Sequence, residues 1–318
     1  MFFGYFQSTL LAVFQILFLA GLGFFLVKKR VLSDFGLDAL SKLVVEVTLP
    51  VLIFYQLIRE FSFTLYPDWW TFPLISVLVN LAGLTVGLLL RRYIHGEQHR
   101  DQFLSLVTFQ NSGYLPLALI AALLPSEQAS PLLTYLFLFL LGFNIVVWSL
   151  GVYMLSQEKT RKFELGSLFS PAVIAILSSL VLIFFGLNKF MPEFMFKPLR
   201  MIGDCTLPLA MLVVGGSLAR IRLAHTDRKA IGLLILGKLI ILPALGLLLV
   251  VGRGFPPLLG LLILMQLAVP SATSLSLIVR HYKKEDLLIS QGVFFTHIAS
   301  IITIPLFLSL YFTLVVMK

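Results

Sequence analysis

The chain has 318 residues, 59% hydrophobic and only 12% charged, with a mean hydropathy of +1.00. That composition excludes a soluble enzyme or soluble binding module and makes the chain a polytopic, all-α membrane protein. The net charge of +9 reads as loop charge that sets topology, not as a nucleic-acid surface; the single cysteine, Cys205, excludes an internal disulfide.

The first apolar run has no positive n-region and continues to Val27, so it reads as a retained helix and not a cleaved signal peptide. A helical span needs about 20 mostly apolar residues. On that measure ten spans are predicted at 8–27, 39–57, 72–90, 103–123, 131–154, 167–186, 199–219, 230–251, 257–279 and 288–316. With the N-terminus outside, the inside loops hold Lys28, Lys29, Arg30 and Lys42; Arg91, Arg92 and Arg100; Lys159, Arg161 and Lys162; Arg220, Arg222, Arg228 and Lys229; and Arg280, Lys283 and Lys284. Those are 17 of the 24 basic residues, against six outside: Arg59, Lys189, Lys197, Arg200, Arg253 and Lys318. The positive-inside rule therefore places both termini outside, with Tyr66, Trp69 and Trp70 in an outer aromatic belt.

The second span begins a repeat. "KLVVEVTLPV" (42–51) aligns with "RMIGDCTLPL" (200–209), pairing Glu46 with Asp204 and Thr48-Leu49-Pro50 with Thr206-Leu207-Pro208. The same shift of 158 lays spans 1–5 on spans 6–10. Five is odd, so the second copy enters from the opposite side, giving two inverted five-helix repeats, 1–157 and 158–318.

The fourth and ninth spans carry matching interruptions. "TFQNSGYLPLALI" (108–120) sets Asn111, Ser112, Gly113 and Pro116 within an apolar run, and "VPSATS" (269–274) occupies the equivalent place. A proline inside a helix costs roughly 3 kcal/mol, and unpaired backbone groups cannot face lipid. A break at mid-depth instead exposes a half-helix N-terminus, with free N–H donors and partial positive charge. Two inverted copies would bring two such ends together, a site suited to a small carboxylate. Asn111, Ser112, Ser271, Thr273 and Ser274 would add polar groups, with Gly113, Tyr114, Pro116 and Pro270 shaping the breaks; Gln110 and Gln266 flank them as candidates for ion coupling. Pro50, Pro208, Pro243 and Pro305 read as ordinary kinks.

Intramembrane polar residues are functional candidates by default. Lys238, nine residues into the eighth span, attracts the anion or pairs with a carboxylate, unless it snorkels to an interface. Glu46 and Asp204 are candidate proton carriers, although both lie within two turns of a helix start, where an acid is unremarkable. Asn80 and Asn144 line the cavity or bond between helices. Gly215-Gly216 reads as a close-packing element. His95 and His99 in "HGEQH" lack the glutamate of a zinc protease motif and lie in a charged loop. No Ser/His/Asp set, phosphate loop or cysteine cluster appears, so neither enzyme chemistry, a cofactor nor a metal is expected.

Several segments, in order and spacing, resemble the auxin efflux carrier family of secondary transporters, which includes the plant PIN proteins and many prokaryotic members. "FQNSGYLPLAL" looks like its fourth-helix motif, and "LPLAMLVVGGSLA" (207–219) and "GKLIILPALGLLL" (237–249) are similar to its seventh- and eighth-helix signatures. "FNIVVWSLGVYML" (143–155) and "IASIITIPLFLSL" (298–310) resemble its fifth and tenth helices. The ninth-helix break departs from the pattern, having no asparagine after Pro270, and the loop at 155–166 is short, which favours a prokaryotic-type carrier in a bacterial inner membrane. The resemblance implies ten helices with the fourth and ninth crossing at their breaks. It also implies a scaffold of helices 1, 2, 6 and 7, a transport bundle of 3–5 and 8–10, elevator-like movement, frequent dimerisation, and a malate-, malonate- or auxin-like cargo. H+, Na+ or neither is the coupling ion. The rival readings are a sodium-coupled symporter of the bile-acid-carrier type and a membrane sensor that binds its ligand without moving it.

Overall fold

The computed structural model describes residues 2–155, 169–221, 223, 226–281 and 287–315. Lys159, Arg161, Lys162, Arg222, Lys283, Lys284 and Lys318, which carry part of the topology reading, and the expected boundary between repeats at 157/158, lie outside the described residues. Among those described, the regular secondary structure is helical, with one isolated antiparallel bridge, Gln110 with Ser271.

Six helical stretches are long and apolar enough to cross a membrane: Phe2–Lys28, Thr71–Arg91, Ser126–Leu155, Glu193–Ala219, Arg228–Arg253 and Leu287–Val315. Tyr114–Leu123, Pro171–Phe184 and Pro257–Ala268 are apolar but shorter. Numbered in chain order, the first half comprises α1 (Phe2–Lys28), α2 (Asp34–Leu43), α3 (Leu49–Glu60), α4 (Thr71–Arg91), α5 (Glu97–Thr108), α6 (Tyr114–Leu123), α7 (Ser126–Val146) and α8 (Val152–Leu155). The second comprises α9 (Pro171–Phe184), α10 (Glu193–Asp204), α11 (Thr206–Ala219), α12 (Arg228–Ile235), α13 (Leu242–Arg253), α14 (Pro257–Ala268), α15 (Ser274–His281) and α16 (Leu287–Val315).

Three of these divisions are local widenings of one continuous helix. Single wide turns at Val44–Thr48 and Leu236–Ile241 join α2 to α3 and α12 to α13. Each sits just before a proline, Pro50 and Pro243, near the start of the following helix. Proline cannot donate to the carbonyl four residues back and crowds it; a wider turn moves that carbonyl aside without ending the helix. Cys205 interrupts α10 and α11 just before Pro208. These prolines therefore bend helices, whereas the stretches 109–113 and 269–273 leave helical geometry altogether.

Helix packing uses small residues on the inner side and bulky ones outside. Helix α1 buries Thr9, Ala12, Val13, Ile16, Ala20 and Gly23 and exposes Phe14, Phe18, Leu22 and Phe25. With lipid as apolar as leucine, helices associate through close backbone approach and not through hydrophobic exclusion. Helix α1 packs on α11 and α16, most extensively on α11. A Cβ on Gly215 would collide with the Ala20 backbone, and one on Gly23 with the Leu212 backbone. On Gly216 it would press on the Leu37 side chain. Gly215→Leu is expected to force α1 and α11 apart, costing about 1–3 kcal/mol or more, and to lower the melting temperature of the detergent-purified protein; an unchanged melting curve would contradict the close approach.

Candidate functional site

The interruption in "TFQNSGYLPL" divides its work between residues. Helix α5 ends at Thr108, Phe109 adopts extended geometry, and α6 restarts at Tyr114. Pro116 lies in the first turn of α6. There its missing N–H would have had no acceptor within the helix, so it favours a helix start and is not itself the break. In the second copy, α14 ends at Ala268 and α15 begins at Ser274, with Pro270 in the non-helical stretch between.

The two interrupted stretches run antiparallel and pair. The Asn111 N–H donates to the Pro270 carbonyl at 2.8 Å, and the Ala272 N–H to the Phe109 carbonyl at 3.0 Å. Surrounding side chains satisfy more of the freed backbone. Ser271 Oγ donates to the Leu106 carbonyl at 2.7 Å, while the Ser271 N–H donates to Thr296 Oγ1 at 3.3 Å. Gln266 Nε2 donates to the Ser112 carbonyl at 3.2 Å. Lys238 Nζ donates to the Val107 carbonyl at 2.9 Å. The end of α5 and the two crossing stretches are thus paired within the protein, which is what an apolar surrounding requires of non-helical backbone.

The N-terminal ends of α6 and α15 are disposed differently. Gln110, Asn111, Ser112, Gly113 and Tyr114 from the first copy, and Ala272, Thr273 and Ser274 from the second, line one cavity of about 240 Å³. The first N–H groups of a helix have no partner within it and carry partial positive charge, so this wall favours an anion. The opposite wall is formed by α2, α3 and α11, through residues such as Ser41, Val45, Leu49, Val213 and Ser217. Asn144 also lines the cavity; its amide donates to the Leu140 carbonyl at 2.8 Å, and its Oδ1 accepts from Ser170 Oγ at 3.5 Å. Asp38 and Arg220 stand at one edge, where the guanidinium contacts Asp38 at 2.6 Å and Asp34 at 2.7 Å.

Other candidates are not cavity lining. Pro116, Pro270, Ser271, Gln266 and Lys238 support the breaks from behind. Lys238 is 1% exposed, so it does not snorkel, and its partner is a carbonyl; among the described residues it makes no ion pair. Glu46 and Asp204 are exposed and pair one turn away with Lys42 at 3.9 Å and Arg200 at 3.6 Å. Asn80 is buried and donates to its own helix, at the Ser76 carbonyl. Gln110, Ser112 Oγ and Gln266 Oε1 are buried polar groups without a protein partner, all at the crossing. Sequence reasoning passed over His297, whose Nε2 lies 3.3 Å from Asn111 Nδ2, and the Asp34–Asp38–Arg220 cluster. A lone histidine inside an apolar span was the available signal for the first; nothing local marked the second, which joins residues far apart in sequence.

Residues 8–308 match the family described as membrane transport protein, the auxin efflux carrier family, and the chain belongs to it. No curated protein matches the chain significantly.

The Lys238 contact sets an expectation for its loss. Lys238→Met keeps the apolar stem but leaves the Val107 carbonyl without its buried donor, a cost of about 1–3 kcal/mol. The variant is expected to melt at a lower temperature than the wild type in detergent, and a coincident melt would remove the ammonium from that role.

Proposed function

We propose that this member of the auxin efflux carrier family is a secondary transporter or facilitator of a small organic anion, a carboxylate of malate, malonate or auxin-like type. One observation carries the reading: two restarted helices turn their N-terminal ends into a single cavity beside the Asn111 amide. Lys238 adds a buried amine behind the same break, donating to the Val107 carbonyl.

The mechanism we infer is alternating access by ten helices in two inverted halves. Element bounds support it. Asp34–Glu60 corresponds to Glu193–Ala219, Thr71–Arg91 to Arg228–Arg253, and the α5/α6 pair to α14/α15, at nearly the shift read from the repeat. Packing follows the same exchange: α1 on α11 answers α3 on α9, α4 on α7 answers α13 on α16, and α5 on α16 answers α14 on α7. Helices α1, α2, α3, α9, α10 and α11 would form the scaffold. The rest would form the moving bundle, and the cavity lies where the two groups meet. That position suits an elevator-like displacement, in which the crossing travels as a unit with its paired backbone intact. On the positive-inside count, Arg220 and the cavity edge would lie on the cytoplasmic side and both termini outside; the resemblance to prokaryotic-type carriers favours a bacterial inner membrane. A homodimer through scaffold helices would hold the frame still.

Flux tests the proposal. Liposomes with the full chain are expected to take up at least one of labelled malate, malonate and indole-3-acetate, and the same ligand should raise the melting temperature by mass action. Asn111→Ala is expected to cut that uptake at least about tenfold, the equivalent of 1.4 kcal/mol, without loss of the folded protein. Uptake that Asn111→Ala leaves unchanged removes this residue from the site; strict dependence on Na+ would favour the sodium-coupled alternative.

A further inference from the structure

His297 is a buried titratable side chain whose partner belongs to the proposed anion site. It sits on α16, 7% exposed, with both ring nitrogens engaged. Nδ1 lies 2.8 Å from the Val293 carbonyl oxygen and Nε2 lies 3.3 Å from Asn111 Nδ2. A carbonyl only accepts, so Nδ1 carries the hydrogen. In the neutral ring, Nε2 is then a bare lone pair and accepts from the Asn111 amide nitrogen. That commits one Nδ2 hydrogen to the ring and leaves one further N–H beside Oδ1, an acceptor of the wrong polarity for a carboxylate.

We propose that His297 binds a proton carried together with the anion, and that protonation reverses the Asn111 amide so that it presents N–H groups to the cargo. This rests on the anion-carrier reading above. In the step, a proton leaves a hydronium ion for the Nε2 lone pair, forming one N–H bond and releasing water, with no change of oxidation state. The imidazolium keeps its Nδ1–H bond to Val293. Its new Nε2–H needs an acceptor, which Asn111 supplies by a half-turn of its amide, bringing Oδ1 to the ring. Nδ2 then faces the cavity with its donors free.

Burial makes the two ligands depend on each other. An imidazolium in the core with no counter-ion is costly, and so is a carboxylate facing Oδ1; bound together, each removes the other's penalty, which is thermodynamic coupling. The neighbours of α16 leave that role to the cargo. Among described side chains, α1 brings Tyr5 and Lys28, and α5 brings Glu97, His99, Arg100 and Asp101. Helices α12 and α13 bring Arg228, Lys229 and Arg253. The turn 236–241 brings Lys238, already held by Val107. No carboxylate among the described residues is buried, and the least exposed, Asp101, lies in the first turns of α5, away from the break.

The test uses the full chain in liposomes, with the voltage clamped to zero by potassium and valinomycin, and labelled malonate, malate and indole-3-acetate as probes. One proton per anion predicts about tenfold accumulation for each unit of acid-outside gradient. His297→Gln is expected to bring that ratio down to about one. Nitrogen-15 spectra of histidine-labelled wild type in detergent should show the Nδ1–H neutral tautomer at His297, becoming doubly protonated when a transported probe is added. Wild-type accumulation that ignores the gradient, a His297→Gln variant still driven by it, or an Nε2–H tautomer overturns the proposal. Wild-type vesicles that move none of the three probes overturn the anion-carrier reading on which it rests, while the tautomer remains readable on its own.

Discussion

The structure depends on one constraint: a helix interrupted in apolar surroundings must find partners for the backbone groups it releases. Each orphaned group costs several kcal/mol in hydrocarbon. Here the solution is mutual. Residues 109–113 and 269–273 lend each other two backbone hydrogen bonds across an antiparallel bridge, so neither interruption is tolerable without the other. The crossing is therefore a single unit made of two distant segments, and the helices packed around it, α4, α7, α13 and α16, are held by what they add to it. Thr296 and Gln266, on α16 and α14, bond directly to the non-helical backbone.

Carbonyl and N–H ends are treated unequally, and that inequality creates the site. The carbonyl end of α5 meets an ammonium from Lys238 and a hydroxyl from Ser271. The N–H ends of α6 and α15 border the cavity. A break disposes of two opposite partial charges; the protein neutralises the negative one internally and leaves the positive one for a solute. In the anion-carrier reading proposed here, the preference would follow from which end is covered, with the charges of Asp38 and Arg220 paired at the cavity's edge.

Much of this arrangement was legible because the sequence violates its own pattern. Prolines, serines and an asparagine inside apolar runs are expensive, and the structure abandons helical geometry beside them, at 109–113 and 269–273. Thr48-Leu49-Pro50 and its echo, Thr206-Leu207-Pro208, both fall where a helix is locally interrupted, at the wide turn 44–48 and at Cys205. Pro116 was harder to place. The sequence suggested that it breaks the helix, whereas in the structure it starts one, because a proline's missing N–H costs nothing in a first turn. The partners of Lys238 and Asn111 were not legible at all. Val107 and His297 lie 131 and 186 residues away, and no local pattern encodes such a pairing; that His297 stands alone in an apolar span was the nearest hint.

The two halves share a backbone plan but not its chemistry. At the repeat shift, Lys238 faces Asn80, and the two do different work: Lys238 reaches across to the end of α5, while Asn80 bonds within its own helix. Asn111 likewise has no amide counterpart beside Pro270. In the proposed site, side-chain recognition would thus be concentrated at the first break, with the second contributing backbone and the hydroxyls of Thr273 and Ser274. Such asymmetry is what the proposed duplication would permit. Backbone pairing at the crossing needs both copies to stay alike, whereas a cargo smaller than the cavity needs specific groups on one side only. One set of residues can then diverge toward binding while the other keeps the crossing closed.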